Sequence, residues 1–145
     1  MPGSYVLDIS LRLVLSRAWG VLTAEELLAH ASALGKDPRF EPDFNQLSDL
    51  RDVRGVALAS PDIRDLARLN PFGAGARRAI VSATDEVFGL SRMYEMVRDQ
   101  PSDEIIVFRD LPPALEWLGL SGRPELSALL EREAERVFDS TATHR

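Results

Sequence analysis

The chain has 145 residues, with 23 acidic against 17 basic side chains, a net charge of −6 and no cysteine. Without a thiol there is no thiol catalysis, disulfide or thiolate metal site, and the acidic balance disfavours general binding to phosphate backbones or anionic membranes. The length fits one domain with a sizeable core, and no run approaches the ~20 apolar residues that span a bilayer.

The opening Met1-Pro2-Gly3-Ser4 lacks the basic start and apolar core of a secretion signal. Of the basic residues only Lys36 is lysine, which reads as coding bias rather than function. The bacterial cytoplasm is the expected location. Tyr5, Leu7, Ile9, Leu11, Leu13 and Leu15 alternate with mostly polar neighbours, a two-residue period that predicts strand. The run is too long for one strand, so a break near Asp8 to Leu11 makes it an antiparallel pair closed by Trp19 to Leu22. Thr23 then caps a helix, with Glu26 placed to reach back as in a capping box. Leu27, Leu28, Ala31 and Leu34 form its apolar stripe, and Gly35 before Asp37-Pro38 is a natural stop.

Phe44 to Val53 reads as a third strand. Ser60-Pro61-Asp62 opens a second helix, with proline in the tolerated first turn, and Ile63, Leu66, Ala67 and Leu69 on one side. Arg78 to Ala83 is a fourth strand, Asp85 to Asp99 a third helix, and Ile105 to Phe108 a short, continuously apolar fifth strand. A short helix over Leu111 to Leu118 and an amphipathic one over Pro124 to Phe138 complete the chain. Strands alternating with helices imply an α/β fold. The expected sheet is mixed and five-stranded, with parallel central strands, an antiparallel pair at the N-terminus, and four to five packed helices. Residues 1–120 form the domain, and residues 121–145 a C-terminal amphipathic helix and tail.

Candidate chemistry is sparse. His30 sits between Leu27 and Ala31 with no carboxylate tied to it by local spacing, and reads as a surface histidine; His144 lies near the chain end. Two isolated histidines cannot make a His-rich zinc site alone, so no metal or cofactor is expected. Ser60 is either a phosphorylation target at a helix start or simply the cap before Pro61. Asp49, Arg51, Asp52 and Arg54 cluster where the third strand ends, as a ligand site or a mutually paired charge group. An acid–base role for that cluster has no nucleophile beside it. Two glycines precede Arg77-Arg78, but they lead into a strand, so a phosphate loop fails on order; the arginines remain an anion-holding candidate beside the plainer reading of a loop. On the third helix Val87, Leu90, Met93, Tyr94 and Val97 share the face expected on the sheet. Phe88, Arg92 and Met96 fall on another side, and such a second stripe marks a candidate interface.

These segments resemble a family. The strand Arg78-Ala79-Ile80-Val81 with Val87-Phe88-Gly89-Leu90-Ser91-Arg92-Met93-Tyr94, the closing Ala114-Leu115-Glu116-Trp117-Leu118, and Asp49-Leu50-Arg51 at a strand end are similar to bacterial SpoIIAA-like proteins of the STAS superfamily. The resemblance covers roughly Tyr5 to Leu118. It implies a STAS-type fold, no enzyme activity and action through a protein partner; the second stripe on the third helix makes a homodimer the other expectation. Some STAS relatives are switched by phosphorylation of a serine after the third strand; the matching Asp49 to Gly55 holds no serine, and Ser60 lies beyond it. The SpoIIAA-like group also resembles CRAL-TRIO lipid-transfer domains. This chain looks too short for their large cavity, so a small apolar pocket under the second and third helices is the alternative reading.

Overall fold

The computed structural model describes residues 3–123 and Leu126. Its elements run β1 (Gly3–Asp8), β2 (Leu13–Thr23), α1 (Ala24–Lys36), β3 (Asn45–Ala57), α2 (Ser60–Arg68), β4 (Arg77–Ser82), α3 (Asp85–Met96), β5 (Glu104–Phe108) and α4 (Leu111–Trp117). The amphipathic helix expected over Pro124 to Phe138 lies outside the described residues, Leu126 apart.

One sheet carries the strands in chain order, β1-β2-β3-β4-β5. β1 and β2 are antiparallel; every later pair is parallel. Because β2 to β5 step steadily one way across the sheet, right-handed crossovers must deposit α1, α2 and α3 on the same face. The other face receives α4. There Leu13, Leu15, Leu47, Ala79 and Val81 pack with Ala114, Leu118, Leu120 and Leu126 into an entirely apolar core.

The helix-laden face differs. At its β1 end Leu7, Val14, Leu34, Phe44 and Phe72 form one apolar cluster, and at its β5 end Ile80, Ile105 and Val107 form another. Between them the alternation of β2, β3 and β4 puts Ser16, Gln46 and Arg78 inward, all buried. This polar line is the main departure from a plain sandwich, and it positions the site.

Several expectations shift. β3 runs on to Ala57, because beyond Leu50 it leaves β4 and continues beside β2 alone as a two-stranded ribbon, with register shifts after Arg17 and Gly20. Gly20 sits at φ +72 there, a conformation costly for a side chain. α1 passes through Gly35 to Lys36, and Asp37 is the residue that caps it. On α2, Leu69 is exposed rather than sheltered. On α3 the buried residues are Val87 and Ser91, whereas Met93 and Val97 are exposed. Phe88 packs against Ile80, Ile105 and Val107, and seating that ring turns the helix so that Met93 and Val97 roll outward.

The helix starts also separate. Thr23 caps α1 as expected: its hydroxyl oxygen accepts from the Glu26 amide at 3.3 Å while the Glu26 carboxylate accepts from the Thr23 amide at 3.2 Å. Ser60 does not cap α2. The cap is Ala59, whose amide donates to Asp62 Oδ2 at 2.8 Å, and Ser60 is the exposed first helical residue. Thr23→Ala is expected to cost about 1 kcal/mol in urea unfolding, and Ser60→Ala to stay within about 0.5 kcal/mol. Equal costs for the two substitutions would contradict these cap assignments.

Candidate functional site

A buried arginine needs acceptors, and Arg78 finds them on every element around it. Its Nε donates to Gln46 Oε1 at 3.0 Å on the neighbouring strand. Its Nη1 faces Asn70 Oδ1 at 3.0 Å, the Tyr94 hydroxyl at 3.1 Å and Asp103 Oδ2 at 3.2 Å. The guanidinium also lies over the Phe72 ring, 4.4 Å from its centre. Asp103 is buried and pairs with Arg98 as well, Nη1 to Oδ1 at 2.8 Å.

The chain continues past Gln46 in one direction. Arginine can only donate, so Gln46 must turn its oxygen to Arg78 and its nitrogen to Ser16. Gln46 Nε2 reaches Ser16 Oγ at 3.0 Å. Ser16 then has its own hydrogen to give, and His30 Nε2 stands 3.0 Å away. Burial lowers the His30 pKa below its ordinary 6.5, and the positive charge of Arg78 lowers it further. The ring is therefore neutral, accepts through Nε2 and carries its hydrogen on Nδ1. The edge contact with Tyr5, 5.3 Å between ring centres, seats it.

Alongside this chain lies a cavity of about 190 Å³ between the sheet and α1, α2 and α3. Leu27, Ala31, Ile63, Leu66, Val87 and Leu90 supply apolar wall from the three helices. Ser16, His30, Gln46, Arg78 and Tyr94 form a polar stretch of the wall, and Glu26, Ser48 and Ser91 add further polar groups. An apolar cleft with a few convergent polar groups is the general form of a small-molecule site.

Ser16 and His30 stand at the separation of a nucleophile and its base. The rest of a hydrolytic relay does not follow. Ser16 is buried, its oxygen is already occupied by Gln46, and His30 Nδ1 has no carboxylate partner among the described residues. The pair ends a hydrogen-bond chain rather than beginning a proton relay.

The charge cluster foreseen at the end of β3 assembles on the opposite face of the sheet. Asp49, 1% exposed, takes Arg51 Nε and Nη2 at 2.8 and 2.9 Å, with Arg17 Nη1 at 3.5 Å. Arg17 also pairs with Asp52. Burial pushes the Asp49 carboxyl up, but the hydrogen bonds and charge of Arg51, with the charge of Arg17, outweigh it and hold the group below its ordinary value. A carboxylate so gripped is a weak proton acceptor, and the arrangement ties β2 to β3. Arg54 is exposed and forms none of these pairs.

The residues of the candidate interface separate in space. Phe88 is half-buried beneath the Arg109 guanidinium, 4.1 Å from its ring centre, whereas Arg92 is exposed and Met96 is 71% exposed. Among the described residues no three His, Asp or Glu side chains stand together as a metal site, and no helix is long and apolar enough to cross a membrane.

A mixed sheet in chain order, three helices on one face and one on the other, is an arrangement seen before. The fold is SpoIIAA-like. A crystal structure of an uncharacterized DUF3478-family protein from Shewanella loihica PV-4, described as SpoIIAA-like, superposes with a TM-score of 0.55 at 22% identity, covering 80% of this chain and 93% of that one. No family model matches the sequence, and no curated protein matches it. Within this SpoIIAA-like fold the cavity occupies the layer between the sheet and α1 to α3. His30, expected at the surface, turns inward onto Ser16 instead, and Ser16 and Gln46 are site residues that linear reading passed over. The signal for them was two-residue alternation, which puts Ser16, Gln46 and Arg78 on one side of adjacent strands.

His30 carries a pH dependence. Unfolded, it titrates near 6.5; folded, lower. Between those values the unfolded chain holds a proton that the folded chain refuses, so stability falls as pH drops below about 6.5. Calorimetric Tm should decline between about pH 7.5 and 5.5 in the native chain and flatten in His30→Gln. Parallel curves for the two proteins would mean that the ring is not held neutral in the fold.

Proposed function

We propose that this chain is a non-catalytic binding module that takes a small, largely apolar molecule into the cavity between its sheet and α1 to α3. The observation that carries this reading is the cavity itself: about 190 Å³, with apolar walls from three helices and polar groups gathered on one side. Burying apolar surface drives such binding at ~25 cal/mol per Å² before the costs of association, and the polar wall orients what enters. The SpoIIAA-like fold supports it by analogy alone.

A neutral apolar dye, N-phenyl-1-naphthylamine, is expected to brighten on the native protein and to lose roughly tenfold or more in affinity in Ala31→Trp, which fills the cavity from α1. Leu66→Phe, a gentler filling from α2, guards against misfolding of the first variant. Undiminished dye binding in both folded variants would end the cavity reading. Hydrolysis of p-nitrophenyl octanoate that vanishes in Ser16→Ala would end the non-catalytic part.

A second reading rests on the outer side of α3, where Met93, Met96 and Val97 are all exposed. Apolar and Met side chains gathered on one surface favour a protein contact, here a second copy of the chain. Light scattering should give a dimer for the native chain and a monomer for Met93→Gln with Met96→Gln. A native monomer, or a dimer the double variant leaves intact, would remove this reading.

A further inference from the structure

The polar wall of the cavity is not neutral in its demands, and this bears on what the cavity takes; the step rests on the cavity reading above. At the Arg78 end of the wall donors outnumber acceptors, while Glu26 places a carboxylate at the α1 end that its own capping box already engages. Arg78 uses Nε and Nη1 on protein acceptors, while its Nη2 has no hydrogen-bond partner among the described residues and is not among the buried polar atoms sealed off without one. The Tyr94 oxygen accepts from Arg78 Nη1, so the tyrosine keeps its own hydrogen to give. At the far end the hydrogen-bond chain runs outward from Arg78, through Gln46 and Ser16, and ends on His30 with a hydrogen on Nδ1. The acceptors gathered around Arg78, Gln46 Oε1, Asn70 Oδ1 and Asp103, already face it.

The charge balance points the same way. Two guanidiniums, Arg78 and Arg98, share the single buried carboxylate of Asp103. Side-chain exposure is 10% for Arg78, 5% for Arg98 and 1% for Asp103, so water screens this surplus poorly. A buried excess of positive charge is costly until an anion meets it.

We infer that the cavity selects a ligand with an apolar body and a single carboxylate head, received by Arg78 Nη2 and the Tyr94 hydroxyl. Two free donor groups suit the two oxygens of a carboxylate. A phosphate would bring three oxygens and a second charge to the two donors at the Arg78 end of the wall. A neutral alcohol would leave the surplus charge unmet. Charge-assisted hydrogen bonds are the stronger kind, so the preference for acid over alcohol should be large.

The test uses octanoate and 1-octanol, matched in chain length, as competitors of N-phenyl-1-naphthylamine on the full chain at about pH 7.5, where the acid is ionised. Octanoate is expected to displace the dye at a concentration roughly tenfold or more below that of 1-octanol. Arg78→Met should abolish that preference. Because Arg78 also ties several elements together, Tyr94→Phe serves as the milder variant, in which the preference should shrink about threefold or more while the protein stays folded. Equal displacement by the two competitors, or stronger displacement by 1-octanol, overturns the carboxylate head and leaves the cavity reading standing. Failure of both to displace a dye that binds also overturns it, and the cavity reading is then decided by Ala31→Trp alone.

Discussion

A guanidinium cannot be taken out of water without acceptors to replace it, and the architecture around Arg78 is the consequence. Its side chain leaves β4 and engages Gln46 on β3, Asn70 after α2, Tyr94 on α3 and Asp103 before β5. Through Gln46 the chain of bonds reaches Ser16 on β2 and His30 on α1. One charge thus draws on three strands, on α1 and α3, and on the segment that follows α2. Removing any one acceptor leaves an unmet polar group in a low-dielectric layer, a penalty of about 1–3 kcal/mol each. Such a network is hard to satisfy in part, and it therefore holds the helices at one spacing from the sheet.

That spacing explains the contrast between the two faces. Under α4 the side chains are aliphatic and aromatic and meet without polar interruption, so that layer closes by dispersion and burial alone. On the other face the polar line through Ser16, Gln46 and Arg78 divides the apolar packing into clusters at either end. The helices rest on those clusters, and the cavity is the space left between them. The second ionic group, Asp49 with Arg51 and Arg17, serves a different purpose: it joins the middles of β2 and β3 where the ladder register shifts.

Much of the scaffold was legible in the order of residues. The break between β1 and β2, the capping box from Thr23 to Glu26, and β4 and β5 follow from alternation, capping chemistry and continuous apolar runs, all local signals. What escaped was set by partners far along the chain. Arg54 to Ala57 gave no hint of strand, because that stretch is stabilised by pairing with the tail of β2. The face of α3 was misjudged because helical period alone cannot weigh Phe88 against Met93; β5 decides it. Arg78 stood at the start of a strand-like run and was grouped with Arg77 as an anion-holding candidate or a plain loop pair. Only the neighbouring strands, 32 residues away at Gln46, show that it turns inward.

His30 shows most clearly how position and chemistry part company. By helical spacing it is a flank residue with no carboxylate nearby, and by geometry it stands 3.0 Å from a serine, the spacing of a nucleophile and its base. What distinguishes the two roles is the direction of the hydrogens. In a hydrolytic pair the base must take the serine proton, and the imidazolium so formed is stabilised by a carboxylate at its other nitrogen. Here the charge at the other end is already positive: Arg78 starts the chain, each link donates away from it, and its field opposes a proton on the imidazole. A ring held neutral by burial and by a cation is poorly placed to become imidazolium during a reaction. The same polarity that disqualifies the pair as a catalyst leaves donors facing the cavity, and a cluster of donors recognises rather than transforms.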